Sequence, residues 1–88
     1  MNQTDKPIRL SRHAQEQLTY RGTNEGEVRE AIRTSLWGPA ELGKKDCRKD
    51  FVFNQVWNGR HYATKQVRPI FANEKNEVVV VTVYVYYF

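Results

Sequence analysis

The sequence predicts an α+β fold, in which an N-terminal helical hairpin packs on a twisted antiparallel sheet of three or four strands. Up to Leu36, apolar residues recur every three or four positions, which is the spacing of one helix face. Beyond Cys47 the spacing changes to every second position, which is typical of a half-buried strand. The dipeptide Asn58-Gly59 stands between two such segments and is a strong signal for a β-hairpin. Helices therefore precede strands along the chain.

The length of 88 residues allows one domain, because a chain this short buries only about 60–65% of its extended surface and forms one small core. We divide it into a flexible lead-in at residues 1–7, a helical hairpin at 8–37 and an antiparallel sheet at 47–88. No apolar run approaches the roughly 18 residues of a membrane-spanning helix. The N-terminus also lacks the apolar stretch of a secretion signal, so we expect a cytoplasmic protein without a membrane partner.

The first helix is predicted over residues 11–21. Leu10, Ala14 and Leu18 fall on one helical face, Ser11 can cap the N-terminus, and Gly22 can adopt the left-handed conformation that ends a helix. Residues 8–10 can add a short strand before it.

The second helix is predicted over residues 25–36. Asn24 and Glu27 resemble a capping box, and the helical spacing that follows includes Val28, Ala31, Ile32 and Leu36. The short link at residues 22–23 makes the pair a helical hairpin whose two apolar stripes face the same surface.

The sheet is predicted to contain strands at residues 48–57, 60–71 and 78–88. The last segment has strong β propensity and no charge, so it would promote aggregation as an exposed edge, and we expect it to be an inner strand. The face under the helices is predicted to carry Val79, Val81, Val83 and Val85. Alternation then places Thr82, Tyr84 and Tyr86 on the opposite face.

Lys65 conflicts with this alternation, because its parity would point it into the core with Val67. A buried, unpaired lysine is costly, so we expect either a bulge near residues 64–66 that turns it outward or a position at the sheet margin. Pro69 has no amide hydrogen and fits a bulge or an edge-facing position.

Positive charge and aromatic residues mark the candidate site. The chain has 14 Lys and Arg against 10 Asp and Glu, a formal net charge of +4, which favours polyanionic partners. The cations of the strands and the tyrosines of the last strand suit RNA chemistry, since Lys and Arg stabilise charge on a phosphorane and Tyr, His or Lys can transfer protons. The same residues can bind single-stranded RNA without cleaving it. The candidates on the strands are Arg48, Lys49, Tyr62, Lys65, Arg68, Tyr84 and Tyr86.

Alternative interpretations stay open for each of these residues. The cations can form an ordinary solvated sheet rim, and the tyrosines can simply cover a bare sheet face. His13 lies in the first turn of the first helix, where a neutral imidazole is favoured, so it is a candidate general base or a packing histidine. We expect no metal and no cofactor, because Cys47 and the two histidines have no ligand spacing and no glycine-rich phosphate loop is present.

Several segments resemble one family. They are Ser11-Arg12-His13-Ala14, Tyr20-Arg21-Gly22, Ala63-Thr64-Lys65-Gln66-Val67-Arg68-Pro69 and Val81-Thr82-Val83-Tyr84. Over residues 8–88 the chain resembles small bacterial and cyanobacterial proteins of a domain-of-unknown-function family, which open with a His-Ala helix and an Arg-Gly turn. These proteins are in turn similar in element order to the RelE/ParE toxin superfamily.

The resemblance implies two functions. RelE-like members are ribosome-dependent mRNA endonucleases, which implies charge-stabilising roles for Arg48, Lys49, Lys65 and Arg68 and proton transfer by Tyr84 or Tyr86, with RNA or the ribosome as partner. The expected activity is then a metal-independent endoribonuclease. ParE-like members act on DNA gyrase by protein contact, which implies a non-catalytic interaction module, and an antitoxin-like protein is a further possible partner. Fold alone does not separate these functions.

Overall fold

A computed structural model describes residues 4–88 and confirms the α+β class; residues 1–3 of the expected lead-in lie outside the described part. In chain order the described elements are β1 (Ile8–Leu10), α1 (Arg12–Arg21), α2 (Glu25–Thr34), β2 (Gly38–Pro39), a 3₁₀ turn (Glu41–Gly43), β3 (Lys45–Asp46), β4 (Lys49–Trp57), β5 (Arg60–Asn73) and β6 (Val78–Tyr87).

Both helices begin at the caps that the sequence predicts. The Ser11 hydroxyl accepts a hydrogen bond from the Ala14 amide at 3.1 Å, and the Asn24 side chain accepts one from the Glu27 amide at 2.8 Å. Gly22 ends α1 with a left-handed φ of 78°, a conformation that glycine adopts without steric cost. The second helix ends at Thr34, two residues earlier than predicted.

The sheet is mixed and has six strands within residues 4–88, in the order β1-β6-β5-β3-β2, with β4 also paired to β5. The prediction of three or four antiparallel strands is therefore too simple. The strand β1 pairs parallel with β6, where Ile8 lies opposite Val78, whereas the other pairs are antiparallel. A parallel neighbour is possible here because β1 leads into the helical hairpin and not into a tight turn.

The strands β3 and β4 occupy the same edge of β5 in succession. Asp46 lies opposite Ile70 and Lys49 lies opposite Val67, so the break between the two strands faces Pro69. Proline has no amide hydrogen to donate at this position, and an interruption of the neighbouring strand therefore costs no hydrogen bond from Pro69.

The core lies between the helices and one face of the sheet, with α1 against β6 and α2 against β5. Its buried apolar residues are Ile8, Leu10, Ala14, Val28, Ala31, Ile32, Cys47, Val67, Phe71, Val78, Val80 and Val83.

The buried face of β6 differs from the predicted one in its first half. Val83 is buried and Val85 packs partly against the core, as expected, but Val78 and Val80 are buried in place of Val79 and Val81. The register shifts between the pairs Ile70–Thr82 and Phe71–Val80, which leaves Val81 as an extra residue in β6. This bulge reverses the alternation along the strand.

The described part of the expected lead-in contacts the domain. Arg33 Nη1 donates to the carbonyl oxygen of Thr4 at 3.0 Å, and the carbonyl of Pro7 accepts from the Val78 amide at 2.9 Å. The Lys6 ammonium donates to Asn73 Oδ1 at 2.7 Å. These contacts connect residues 4–7 to α2 and to the ends of β5 and β6.

Candidate binding surface on the open sheet face

The sheet has one face under the helices and one face that no element of residues 4–88 covers. We call the second one the open face. Strand alternation, counted from buried Val67 and Val83, assigns the side chains that belong to it. Its polar and aromatic members include Asp46, Asp50, Gln66, Arg68, Thr82, Tyr84 and Tyr86.

Arg68 is the centre of the open face. Its Nε donates to Asp46 Oδ2 at 2.8 Å, and its Nη1 donates to the Tyr86 hydroxyl at 3.4 Å. The hydrogen bond to Asp46, followed by the one to Tyr86, raises the pKa of Arg68 above its ordinary value. The guanidinium is therefore charged at physiological pH and held in one orientation.

Tyr84 lies beside two guanidinium groups. The Arg68 guanidinium carbon is 5.6 Å from the centre of the Tyr84 ring, and that of Arg21 is 5.2 Å from it. Such cation–π contacts hold the ring and the two cations together. Tyr84 remains 37% exposed and Tyr86 42% exposed. The open face thus presents two aromatic rings that are ordered by their neighbours and still accessible.

A pocket of about 530 Å³ lies beside this group. The loop that leads from β2 to β3 forms one wall, and side chains of β5 and β6 form the floor. The lining residues are Pro39, Ala40, Glu41, Arg68, Ile70, Thr82 and Tyr84. Charged, aromatic and aliphatic groups therefore meet in one open depression.

Lys65 does not belong to the open face. It is buried on the helix side, where its ammonium donates to Glu27 Oε1 at 2.8 Å and to the carbonyl of Gly22 at 2.9 Å. The bulge expected near residues 64–66 is absent from β5, and the irregularity lies instead in β4, between Val52 and Gln55. The expectation that Lys65 turns outward or lies at the sheet margin is therefore wrong, because a carboxylate and a carbonyl satisfy it inside.

Lys49 and Tyr62 contact groups of the helix side and not Arg68, Tyr84 or Tyr86. The Lys49 ammonium lies 3.6 Å from Glu30 of α2, which places it on the helix side. The ring of Tyr62 is 5.7 Å from that of Tyr87, whose hydroxyl donates to the carbonyl of Arg21.

His13 and Arg48 lie at two other places. His13 is exposed on α1, beside a groove that Gln17 and Tyr20 also line. Arg48 is exposed between β3 and β4, near Trp37. Of the eight candidates from the sequence, the structure brings together Arg68, Tyr84 and Tyr86.

Sequence reasoning missed two members of this group, Asp46 and Arg21. Asp46 lies between the predicted helical hairpin and the predicted sheet, and its approach to Arg68 depends on the register of β3, which no local pattern contains. Arg21 is the last residue of the predicted first helix, and its position beside Tyr84 depends on how α1 crosses β6. The one available signal was the charge of each residue.

Within residues 4–88, no group of three or more His, Cys, Asp or Glu side chains is arranged to hold a metal ion. Neither described helix has the length and apolar character needed to cross a membrane. Comparison with known proteins gave no matching family model, no matching curated protein and no matching solved structure.

Proposed function

We propose that the protein is a non-catalytic interaction module that binds another protein through its open face. The observation that carries the proposal is the exposed, ordered group of Arg68, Tyr84 and Tyr86. Tyrosine and arginine are enriched among residues that dominate binding energy in protein interfaces. Because hydrogen bonds and ring contacts already fix these side chains, they would lose little further side-chain entropy when a partner binds.

The ion pairs favour a protein over a nucleic acid as the partner. Three of the four strand cations that were candidates for phosphate binding have a carboxylate partner: Lys49 pairs with Glu30, Lys65 with Glu27 and Arg68 with Asp46. A phosphate would have to compete with those carboxylates. Asp50 adds a further negative charge to the open face, so its polarity is mixed, as in ordinary protein interfaces.

Kinship with the RelE/ParE superfamily is part of this proposal, and element order supports it. A short strand, two helices and then the long strands follow one another as in the resemblance described above. Within that superfamily the proposal corresponds to the ParE-like case, in which protein contact is sufficient for function. The proposed partner is a cytoplasmic protein, and an antitoxin-like protein is one such partner.

The test compares the proteins captured by three forms of the immobilised chain. The forms are the wild type, a Tyr84→Ser/Tyr86→Ser double variant, and a Leu36→Ser control, whose side chain is exposed between α2 and β2. We expect a partner that the wild type and the control retain and the double variant loses, with Kd raised at least about 30-fold. Identical captured sets for all three forms would show that the open face is not the interface.

A second candidate function is single-stranded RNA binding or RelE-like RNA cleavage, and Arg21 favours it. No carboxylate of residues 4–88 forms an ion pair with Arg21, so this cation beside Tyr84 can accept a phosphate while the ring stacks on a base.

Salt dependence tests RNA binding directly. We expect the affinity for a labelled single-stranded RNA to fall steeply between about 50 and 200 mM salt, and Arg21→Gln to reduce the slope by about 0.7. A flat salt dependence excludes this candidate. For cleavage, message mapping in a translation assay should show cuts with wild-type protein that Arg68→Ala and Tyr86→Phe remove; an intact message with the wild type excludes the endonuclease.

A further inference from the structure

The outer edge of β6 carries unpaired backbone groups. Thr64 and Phe88 exchange both of their backbone hydrogen bonds, at 2.7 and 3.0 Å. Because bonded and non-bonded pairs alternate between antiparallel strands, Tyr84 and Tyr86 also bond to β5, whereas the amides and carbonyls of Val83, Val85 and Tyr87 point outward.

The strand β1 covers this edge only at Val78–Val80. Beyond it, no strand of residues 4–88 lies beside β6, so the remainder is an edge of high β propensity without the charges that usually protect such edges.

A side chain already occupies one position of an added strand. The outward amide of Val83 donates to Gln17 Oε1 of α1 at 2.8 Å, so an amide oxygen stands where the carbonyl of a neighbouring strand would lie. Gln17 also lines a groove of about 320 Å³ along α1. The first outward amide of the edge therefore shows that an acceptor fits there.

Arg21 indicates the charge of the occupant. Its guanidinium lies over Tyr84 at the same edge, and no carboxylate in the described part of the chain pairs with it. An acidic side chain on the added strand, facing the same way as Tyr84, would supply the missing partner. The uncharged Val83–Tyr87 segment suits apolar side chains at the alternate positions.

A second copy of this chain fits the edge poorly. It would bring its own α1 to the same edge, because Gln17 of α1 reaches the β6 backbone in each copy. Paired strands lie about 4.8 Å apart, whereas packed helices need about 8–10 Å between their axes. A single extended segment has no such helix.

We propose that an extended acidic segment of the partner protein adds a strand to the outer edge of β6 along Val83–Tyr87, with a carboxylate on Arg21. This inference rests on the proposed function, because it names the kind of segment that reaches the open face. Backbone hydrogen bonds supply affinity in such strand addition, and alternate side chains supply specificity.

The probe is a labelled peptide with the sequence Val-Glu-Val-Tyr-Val-Glu-Val, whose alternation places valines on one face and acids on the other. We expect binding with Kd below about 1 mM. N-methylation at every second residue removes the amide hydrogens on one side of the peptide strand. We expect one of the two alternate sets of N-methyl groups to abolish binding and the other to leave binding unchanged, because only one set of amides points to β6. Equal effects of the two sets, or no binding at all, would overturn the proposal.

Amide signals of the labelled protein locate the bound peptide. We expect the exchange of the Val85 and Tyr87 amides with solvent to slow on binding, while the Tyr84 and Tyr86 amides, already bonded to β5, keep their rates. The protein alone is measured first by sedimentation. A dimer in which the Val85 amide is already protected would make a second copy the occupant, and the proposal would be wrong.

A charge exchange tests the role of Arg21. Arg21→Glu should weaken binding of the acidic peptide at least about tenfold and favour a peptide with lysine in place of glutamate. Arg12→Glu, at the other end of α1, makes the same charge change and should alter Kd less than about twofold. Equal effects of the two variants would remove the charge argument and the proposal with it.

The two proposals fail in different ways. If the peptide binds with the expected N-methyl pattern but the Tyr84→Ser/Tyr86→Ser variant keeps its protein partner, the edge inference is supported and the open face is not the main interface. If that variant loses its partner but the peptide does not bind, the open face is supported as the interface and the strand-addition proposal is overturned.

Discussion

Replacing Glu27 by glutamine tests whether the ion pair with Lys65 holds the helical hairpin on the sheet. Glu27 Oε1 accepts from the Lys65 ammonium at 2.8 Å and from the Thr23 hydroxyl at 2.8 Å. The lysine and glutamate side chains are 9% and 21% exposed, so solvent screens the pair little. The substitution Glu27→Gln keeps the shape and the acceptor oxygen but leaves a buried ammonium without a counter-charge.

The expected cost follows from this geometry. Removing one partner of a fully buried pair costs about 3–5 kcal/mol. The remaining bond to the Gly22 carbonyl and the residual exposure of Glu27 reduce this, so we expect a loss of about 2 kcal/mol in the free energy of unfolding. For a domain of this size the corresponding fall in Tm is about 10 °C.

Urea unfolding at equilibrium measures the effect, with an unchanged m value as the sign that only stability has changed. The matched control is Glu25→Gln in the same helix turn. Its carboxylate pairs with Arg29 at 3.3 Å, but the side chains are 41% and 47% exposed, and such pairs contribute at most about 0.5 kcal/mol.

Two results would refute the reasoning. One is a Glu27→Gln midpoint equal to that of the control, which would mean that Lys65 is free to act elsewhere. The other comes from a Glu27→Leu/Lys65→Met double variant, which replaces the pair by apolar side chains. We expect it to be more stable than Glu27→Gln, since no charge is left buried alone. A double variant that is less stable would contradict this.

Three further predictions concern other parts of the chain. Gly22→Ala should cost at least about 2 kcal/mol in urea unfolding, because an added Cβ would press into two aromatic side chains. The control Gly59→Ala has a similar φ of 81° but open space around it, and should cost only about 1 kcal/mol; equal costs would refute the contact. The hydrogen bond from Arg9 lowers the pKa of Glu77, so its contribution is present above the ordinary pKa of 4.5 and is lost as pH falls below it. Wild-type protein should therefore lose more stability than Glu77→Gln in acid, and parallel pH profiles would contradict this. Burial raises the pKa of the Cys47 thiol to about 12, so a thiol reagent at about pH 8 should label it only as fast as the protein opens; immediate labelling of native protein would be inconsistent with burial.

Features encoded within a few residues could be predicted from the sequence. Ser11 and Asn24 cap the helices because a side-chain oxygen meets an amide three residues later, a contact that needs no other part of the chain. Gly22 and the Asn58-Gly59 turn likewise depend on local backbone conformation, and both adopt positive φ as expected. The α+β class follows from these boundaries and from the change of apolar spacing.

Features that depend on register could not be predicted. The run from Val78 to Val81 is apolar at every position, so it contains no alternation from which to choose the buried face, and the bulge at Val81 is visible only in the pairing with β5. Lys65 forms an ion pair with Glu27, which is distant in sequence. Strand alternation alone therefore indicated a buried lysine without a partner, whereas the fold supplies one. The parallel β1–β6 pair likewise joins opposite ends of the chain.

The candidate site shows how the register of neighbouring strands brings side chains together that are distant in sequence. Pro69 leaves β5 without an amide hydrogen at the edge that faces β3 and β4, between Val67 and Phe71, and the edge strand is interrupted there. The register is nevertheless the same on both sides of the interruption, because Asp46 lies opposite Ile70 and Lys49 lies opposite Val67 in one continuous antiparallel pairing. This register puts Asp46 Oδ2 2.8 Å from Arg68 Nε. Asp46 then orients Arg68 toward Tyr84 and Tyr86. The order of the open face therefore depends on a strand register that continues past the missing hydrogen-bond donor in the longest strand.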